Sequence, residues 1–244
     1  SLIREGWQNI MIPMMVDILA ETPTRETRED LADVVADFVS RLTGKQTIYQ
    51  MIRLAEEVTN RGGKAEEPLV YKHRYHDMLW DRIEGRVAGL KEGAIAPDSM
   101  MVPGVAGMLE ALRSRGVTLF LASGTDLVYV QDEVAALELS SLFDGGIYGA
   151  LDQHEQFSKQ MLMNEIITTH NLSGSELVVL GDGYVEIEEC RRVGGIAVGV
   201  ASDEVERVGI DEWKRTRLIE AGADIIIPEF REWQRLTAYL FGDE

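Results

Sequence analysis

The chain has 244 residues, 45% of them hydrophobic and 27% charged, and its formal net charge is −18. So acidic a protein repels a phosphate backbone, which argues against nucleic-acid binding, and no apolar run approaches the roughly 20 residues of a membrane-spanning helix. The single cysteine, Cys190, excludes an internal disulfide and indicates a reducing compartment such as the cytoplasm.

The first part of the chain, to about residue 95, has the apolar spacing of helices and no clear strand pattern. The periodicity predicts four helices, over residues 3–19, 31–42, 48–58 and 68–90. Thr24 or Thr27 is expected to cap the second helix, because a hydroxyl oxygen can accept a hydrogen bond from the first turn. His73 and His76 lie one turn apart on the fourth helix, and we interpret them as part of a solvated face rather than as metal ligands.

From Pro97 onward the pattern changes to alternating strands and helices. Short apolar or glycine-flanked runs predict extended segments over residues 117–122, 143–149, 177–180, 196–200 and 224–227. Helical segments lie between them. The alternation predicts an α/β fold with a doubly wound parallel sheet, in which ligands bind beyond the carboxyl ends of the strands.

Two carboxylates follow the predicted strand 177–180. Asp182 comes directly after its end, and Glu186 lies one helical turn further on. Both side chains can therefore face the same crevice, where they would offer the hard oxygen ligands that Mg²⁺ prefers. The alternative is purely local, with Asp182 capping the next helix and Glu186 complementing its dipole. The two residues alone leave both interpretations open.

Ser123, at the end of a predicted strand, and Lys159, at the start of a predicted helix, are two further candidate site residues. The hydroxyl of Ser123, with the backbone N–H groups of Gly124 and Thr125, would form a small anion-binding nest at a helix start. The alternative role for Ser123 is a helix cap. Lys159 lies at the N-terminal end of a predicted helix, where the dipole disfavours a cation. This placement suggests a function, although surface lysines are common.

The order and separation of these residues resemble the haloacid dehalogenase superfamily over the whole chain. The similarity is carried by VTLFLASGTD (117–126), FSKQ (157–160) and VVLGDGYVEIEECRRVGGIAVGVAS (178–202), with PGV (103–105) and LFDGGIYG (142–149) preceding the first two. The longest of these segments is the most specific. The resemblance implies a Rossmann-like core formed by residues 1–8 and 95–244, and an inserted all-helical cap formed by residues 9–94.

The resemblance also implies a role for each matching residue. Ser123 would hydrogen-bond the transferring phosphoryl group, and Lys159 would neutralise its charge. Asp182 would bind Mg²⁺, with Glu186 as a direct or water-mediated second ligand. The implied activity is Mg²⁺-dependent hydrolysis of a small phosphorylated metabolite through an aspartyl-phosphate. Contacts to the substrate are expected from four residues near the cleft of this fold: Arg4, Glu5, Trp7 and Tyr184.

The sequence departs from the family in one respect. The first motif of the family is a strand ending in Asp-x-Asp, whose first aspartate is the nucleophile, and these 244 residues contain no Asp-x-Asp. That strand is central in the sheet of the family, and its neighbours would lose backbone hydrogen bonds without it. We therefore expect the motif to lie upstream of Ser1 in the natural protein.

Other activities of the family remain open alternatives. A catalytically inactive phosphate-binding or regulatory module is favoured if no upstream Asp-x-Asp exists, and a phosphomutase is a further alternative. The Mg²⁺-independent dehalogenases are disfavoured by the acidic pair Asp182 and Glu186. A phosphonatase would need a cap lysine that forms a Schiff base, and the sequence does not distinguish between the available lysines, which are Lys45, Lys64, Lys72 and Lys91.

Overall fold

The computed structural model describes residues 1–243 and divides the chain into two compact units. The helical unit is Arg4–Gly85, and the α/β unit consists of Ser1–Ile3 with the chain from Arg86 onward. The sequence predicted a helical cap over residues 9–94; the helical unit begins five residues before this range and ends nine residues before its end, and the assignment of a cap stays a prediction. The later border falls inside a helix, because the fourth helix, Pro68–Lys91, continues unbroken from one unit into the other.

All four helices expected in the first part of the chain are present, and residues 1–95 contain no strand. They are α1 (Gln8–Ala20), α2 (Arg28–Leu42), α3 (Thr47–Asn60) and α4 (Pro68–Lys91). The cap of α2 is Thr27, not Thr24: its hydroxyl accepts from the Asp30 N–H at 3.2 Å, and the Thr27 N–H donates to the Asp30 carboxylate at 2.9 Å. This reciprocal pair satisfies two backbone donors that a helix start would otherwise leave unpaired.

The α/β unit alternates strands and helices as the sequence predicted. Its elements are α5 (Val105–Ser114), β1 (Phe120–Asp126), α6 (Leu127–Ala136), β2 (Gly146–Ala150), α7 (Lys159–His170), β3 (Val178–Gly181), α8 (Tyr184–Arg192), β4 (Ile196–Val200), α9 (Glu212–Glu220), β5 (Ile225–Ile227) and α10 (Trp233–Phe241). Short 3₁₀ turns connect several of them. Every strand pair is parallel, which confirms the predicted α/β class.

The strands form two parallel sheets, one of order β1-β2 and one of order β3-β4-β5. Within the described part of the chain, β1 and β3 do not pair with each other, so the single sheet expected from the sequence is divided at this place. In the second sheet Val178 is opposite Ile196, and Val198 is opposite Ile225. Because all strands are parallel, their carboxyl ends in each sheet lie along one edge.

Strand β4 is the centre of the hydrophobic core of the α/β unit. Its side chains alternate between two clusters, as the period of two in a strand requires. Val198 and Val200 pack with Met108 and other residues on one face, whereas Ala197 contacts the cluster that contains Cys190 on the other. Burial raises the pKa of the Cys190 thiol to about 11. Among the residues described, no helix is both long and apolar enough to span a membrane.

Candidate functional site

Asp182 lies just beyond the carboxyl end of β3, at the edge where parallel sheets bind ligands. Its side chain is 59% exposed, and the Lys214 ammonium lies 3.8 Å from its Oδ2. The N-cap of α8 is Gly183, not Asp182. The alternative in which Asp182 serves as the helix cap is therefore not what the structure shows, and its carboxylate is accessible to a ligand.

Glu186 lies in the first turn of α8 and is folded back over the loop that precedes the helix. The Gly183 N–H donates to its Oε1 at 3.0 Å. A Cβ on Gly181 would lie 2.4 Å from Glu186 Cγ, and a Cβ on Gly183 would lie 2.7 Å from its Oε2. Glycine at these two positions therefore leaves the space that the glutamate occupies. The carboxylate also stabilises the positive end of the helix dipole.

Lys159 is the first residue of α7, and its Nζ donates to Glu186 Oε2 at 2.7 Å. Both side chains are nearly buried, with 12% and 9% of their surfaces exposed. Ser158 caps the helix by accepting a hydrogen bond from the Met161 N–H at 3.1 Å. The cation at an unfavourable helix end is thus compensated by a carboxylate from a second helix. The structure brings these two predicted site residues into direct contact.

Ser123 is part of β1, which extends to Asp126 with a register irregularity between Ala122 and Asp126. The Thr125 N–H donates to Ser123 Oγ at 3.1 Å. One of the two N–H groups expected in the anion-binding nest is therefore bonded locally. The phosphate-binding role of Ser123, Gly124 and Thr125 stays a prediction.

Lys214, on α9, belongs to the same region and was not predicted from the sequence. Its ammonium donates to Glu204 Oε1 at 2.6 Å and to the Ser202 carbonyl at 3.1 Å. Burial disfavours the charged ammonium, but the charges of Asp182, Glu204 and Asp211 outweigh this and hold the pKa of Lys214 above its usual value. The sequence feature that singled out Lys159 is a cation in the first turn of a helix, where the dipole disfavours it. Lys214 has the same feature in α9.

Tyr184, a predicted substrate contact, stacks against α9. The Arg217 guanidinium lies over two aromatic rings, with its Cζ 4.6 Å from the ring centroid of Tyr184 and 4.7 Å from that of Trp213. Burial raises the pKa of the Tyr184 hydroxyl. A shallow pocket of about 190 Å³ adjoins the stack and is lined by Tyr184, Glu188, Arg217, Glu220 and Ala221.

The other predicted substrate contacts, Arg4, Glu5 and Trp7, belong to the helical unit, where each is partly buried. Their proposed contacts to substrate stay predictions. One expectation for this unit is wrong. His76 does not lie on a solvated face but is only 7% exposed, and burial together with the charges of Arg4 and Lys72 lowers its pKa to about 3. His73 is exposed as expected.

The donor set at the end of β3 is compatible with Mg²⁺ but small. The described residues contain no group of three His, Cys, Asp or Glu side chains arranged to hold a metal. Mg²⁺ is usually held by one or two carboxylates, with waters and substrate phosphates completing its coordination. Asp182, with its open carboxylate, fits the role of a direct ligand. Glu186, already bonded to Lys159, fits a contact through water.

The family follows from a comparison with known proteins. The family model of the haloacid dehalogenase-like hydrolases matches residues 13–194, which is most of the chain. The chain therefore belongs to this family of hydrolases, as the sequence motifs indicated. A search of curated proteins gave no match.

Solved structures with a similar fold include three enzymes or enzyme-like proteins. A predicted phosphoglycolate phosphatase from Haemophilus somnus 129PT has a TM-score of 0.61 at 15% identity, over 96% of this chain and 91% of the other. β-Phosphoglucomutase from Clostridium difficile has a TM-score of 0.62 at 12% identity, over 97% of this chain and 92% of the other. A phosphonoacetaldehyde hydrolase-like protein from Oleispira antarctica has a TM-score of 0.60 at 15% identity, over 97% of this chain and 87% of the other. At such identities the likeness shows the fold alone.

Proposed function

We propose that the protein is a Mg²⁺-dependent phosphomonoester hydrolase that acts on a small phosphorylated metabolite of the cytoplasm. The observation that carries this proposal is the arrangement at the end of β3. Glu186, which forms a nearly buried ion pair with Lys159, follows four residues after Asp182, whose carboxylate is open. Phosphoryl transfer depends mainly on charge neutralisation and alignment, and an acidic protein must supply its positive charge locally.

Each residue of the site has a separate task in this proposal. Lys159, fixed by Glu186, would neutralise the charge of the phosphoryl group. The Ser123 hydroxyl and the Gly124 N–H would orient the phosphoryl oxygens. Asp182 would hold Mg²⁺, which when bound polarises the phosphoryl oxygens.

The proposed covalent intermediate needs a nucleophilic aspartate. The Asp-x-Asp motif that supplies it in this family does not occur in the 244 residues. Its expected position upstream of Ser1 stays a prediction, so activity is to be measured on the natural full-length protein. Attack of the aspartate on phosphorus would release the alcohol, and water would then hydrolyse the acyl phosphate.

The test is release of inorganic phosphate from a panel of phosphorylated metabolites, with and without Mg²⁺. Phosphoglycolate and β-glucose 1-phosphate belong in the panel because of the names of the structural relatives. We expect turnover that requires Mg²⁺ and is lost in Asp182→Asn. Turnover that survives this substitution would contradict the metal role.

The same panel separates the alternatives. A phosphomutase would convert β-glucose 1-phosphate to an isomer with little release of phosphate, which product analysis by NMR detects. An inactive module would bind phosphate or a phosphorylated metabolite, measured by calorimetry, without changing it. Measured turnover would exclude the inactive module.

A second candidate, phosphonate hydrolysis, is favoured by the burial of Lys72. This residue is 1% exposed on α4, whereas Lys45, Lys64 and Lys91 are exposed. A protected lysine amine is suited to condense with an aldehyde and form an imine with loss of water. Phosphonoacetaldehyde should then form this imine with Lys72, and sodium borohydride, a hydride donor, should reduce the imine to a stable secondary amine. Mass spectrometry that finds no adduct on Lys72 would rule this candidate out.

A further inference from the structure

Both carboxylates at the end of β3 have a lysine beside them, and the two lysines come from different helices. Lys159, on α7, is bonded to Glu186, whereas Lys214, on α9, lies beside Asp182. The two pairs differ in distance: 2.7 Å in the first and 3.8 Å in the second. Lys214 is therefore close enough to act on the charge of Asp182 but does not hydrogen-bond it.

The position of Lys214 is fixed by the loop between β4 and α9. Its Nζ bonds both the Ser202 carbonyl and Glu204, and its backbone N–H donates to the Asp211 carboxylate at 3.0 Å. An antiparallel bridge between Ser202 and Ile210 closes the base of this loop. The side chain is only 14% exposed. Two hydrogen bonds of the ammonium and one of the Lys214 backbone thus hold a nearly buried cation beside an open carboxylate.

We propose that Lys214 is the internal counter-ion of Asp182 and a positioning residue that limits how tightly the site binds a divalent cation. This inference rests on the proposed Mg²⁺ role of Asp182. A divalent ion bound to Asp182 is repelled by the ammonium beside Oδ2. Glu204, 2.6 Å from the same ammonium, neutralises part of that repulsion. Affinity for the metal then depends on the balance between Lys214 and Glu204.

The proposal makes opposite predictions for the two partners. Lys214→Met removes the repelling charge, so the divalent ion should bind on the order of tenfold more tightly. Lys214→Arg keeps the charge and should leave the affinity within about twofold. Glu204→Gln leaves Lys214 without its nearest carboxylate and should weaken binding. A merely structural role of Lys214 would weaken binding in Lys214→Met or leave it unchanged.

The measurement is a titration of the natural full-length protein with Mn²⁺ alone, in which electron paramagnetic resonance reports the free ion. Mg²⁺ competition then gives the affinity for Mg²⁺. The matched control is Lys91→Met, which removes the same charge from an ion pair of 2.7 Å with Asp132 on α6. The control should bind Mn²⁺ as the wild type does. Any effect of net charge alone would appear equally in Lys91→Met and Lys214→Met.

The outcomes separate this inference from the proposed function. If the wild type binds Mn²⁺ and Lys214→Met binds no more tightly than Lys91→Met, the inference fails and the Mg²⁺ role stands. If neither the wild type nor any variant binds Mn²⁺, both fail. Should Lys214→Met not fold, Glu204→Gln decides: weaker binding supports the inference, and unchanged binding overturns it.

Discussion

The Lys159 ammonium and the Glu186 carboxylate form a nearly buried ion pair of 2.7 Å that connects the start of α7 to the first turn of α8. Glu186 also accepts from the Gly183 N–H, so one carboxylate joins two helix starts and a loop. Each charge stabilises the other, because an unpaired charge in a nearly buried position is strongly disfavoured. The pair therefore serves stability as well as the proposed chemistry.

A double-mutant cycle on this pair should show strong coupling. Lys159→Met and Glu186→Gln should each lower the free energy of unfolding by about 3 kcal/mol, since each leaves a buried partner uncompensated. The double variant should lose clearly less than the sum. Urea unfolding followed by circular dichroism measures all four proteins, and Lys91→Met with Asp132→Asn, on an exposed pair, should give a coupling below about 1 kcal/mol. Additive losses at Lys159 and Glu186 would contradict the contact.

Asp182→Asn should leave the fold intact while the metal-dependent activity disappears. The side chain is mostly exposed and lies 3.8 Å from its nearest cation, Lys214, so the free energy of unfolding should change by less than about 0.5 kcal/mol. Phosphate release and Mn²⁺ binding should both be lost, because the one open carboxylate becomes a neutral amide. A large drop in melting temperature would instead show that Asp182 is structural.

Gly181→Ala should destabilise the site although Gly181 is not itself charged. Its new Cβ would lie 2.4 Å from Glu186 Cγ, so the glutamate side chain must shift from the position in which it accepts from Lys159. We expect a loss of about 1–3 kcal/mol in urea unfolding. Gly85→Ala is the matched control: on α4 a Cβ meets nothing within 4 Å, and alanine favours the helix by up to about 1 kcal/mol. Equal effects of the two substitutions would refute the steric explanation.

His76 should make the helical unit less stable in acid. Its folded pKa is about 3, because burial and the charges of Arg4, Lys72 and His73 outweigh the opposing charge of Asp77. The unfolded chain titrates near 6.5, so it binds the proton more readily at every pH between these values. The contribution of His76 is therefore fully present above pH 6.5 and is lost by up to about 1.4 kcal/mol per unit as the pH falls toward 3.

Urea unfolding at several pH values between 7 and 4 checks this dependence. His76→Gln should have a shallower decline than the wild type, because glutamine does not titrate. The control His73→Gln changes an exposed histidine on the same helix, whose charge is a smaller cause of the His76 shift than burial, and should keep most of the wild-type decline. If the free energy of unfolding falls with pH equally in the wild type and in His76→Gln, protonation of His76 does not destabilise the folded protein, and the prediction is wrong.

The sequence predicted the element order because the apolar patterns are strong and the breaks between them are marked. All four helices of the first unit and the alternation after Pro97 follow from periodicity alone. The same patterns could not show which charged residues meet across elements. The pairing of Lys159 with Glu186 joins residues 27 positions apart, and its geometry depends on how α7 and α8 pack.

One residue that the sequence analysis missed, Lys214, and one that it misjudged, His76, illustrate the limit of local patterns. Lys214 lies outside the family motifs, and only the loop after β4 brings it beside Asp182. His76 lies in a segment rich in charged residues, so composition suggested a solvated face, whereas Tyr75 and Leu79 on the same helix are buried with it. Which residues of α4 are buried depends on tertiary packing, which the periodicity of a single sequence describes only on average.

The burial of the Cys190 thiol allows selective labelling of the protein at an introduced cysteine. It is fully inaccessible and its pKa is about 11, so maleimide reagents at neutral pH have almost no thiolate to attack. A cysteine introduced at an exposed position would be the fast-reacting one among these 244 residues. Arg41→Cys and Glu212→Cys, one on each unit, would accept a pair of fluorescent dyes. Both dyes would then report on the protein during turnover, with the native cysteine left in place.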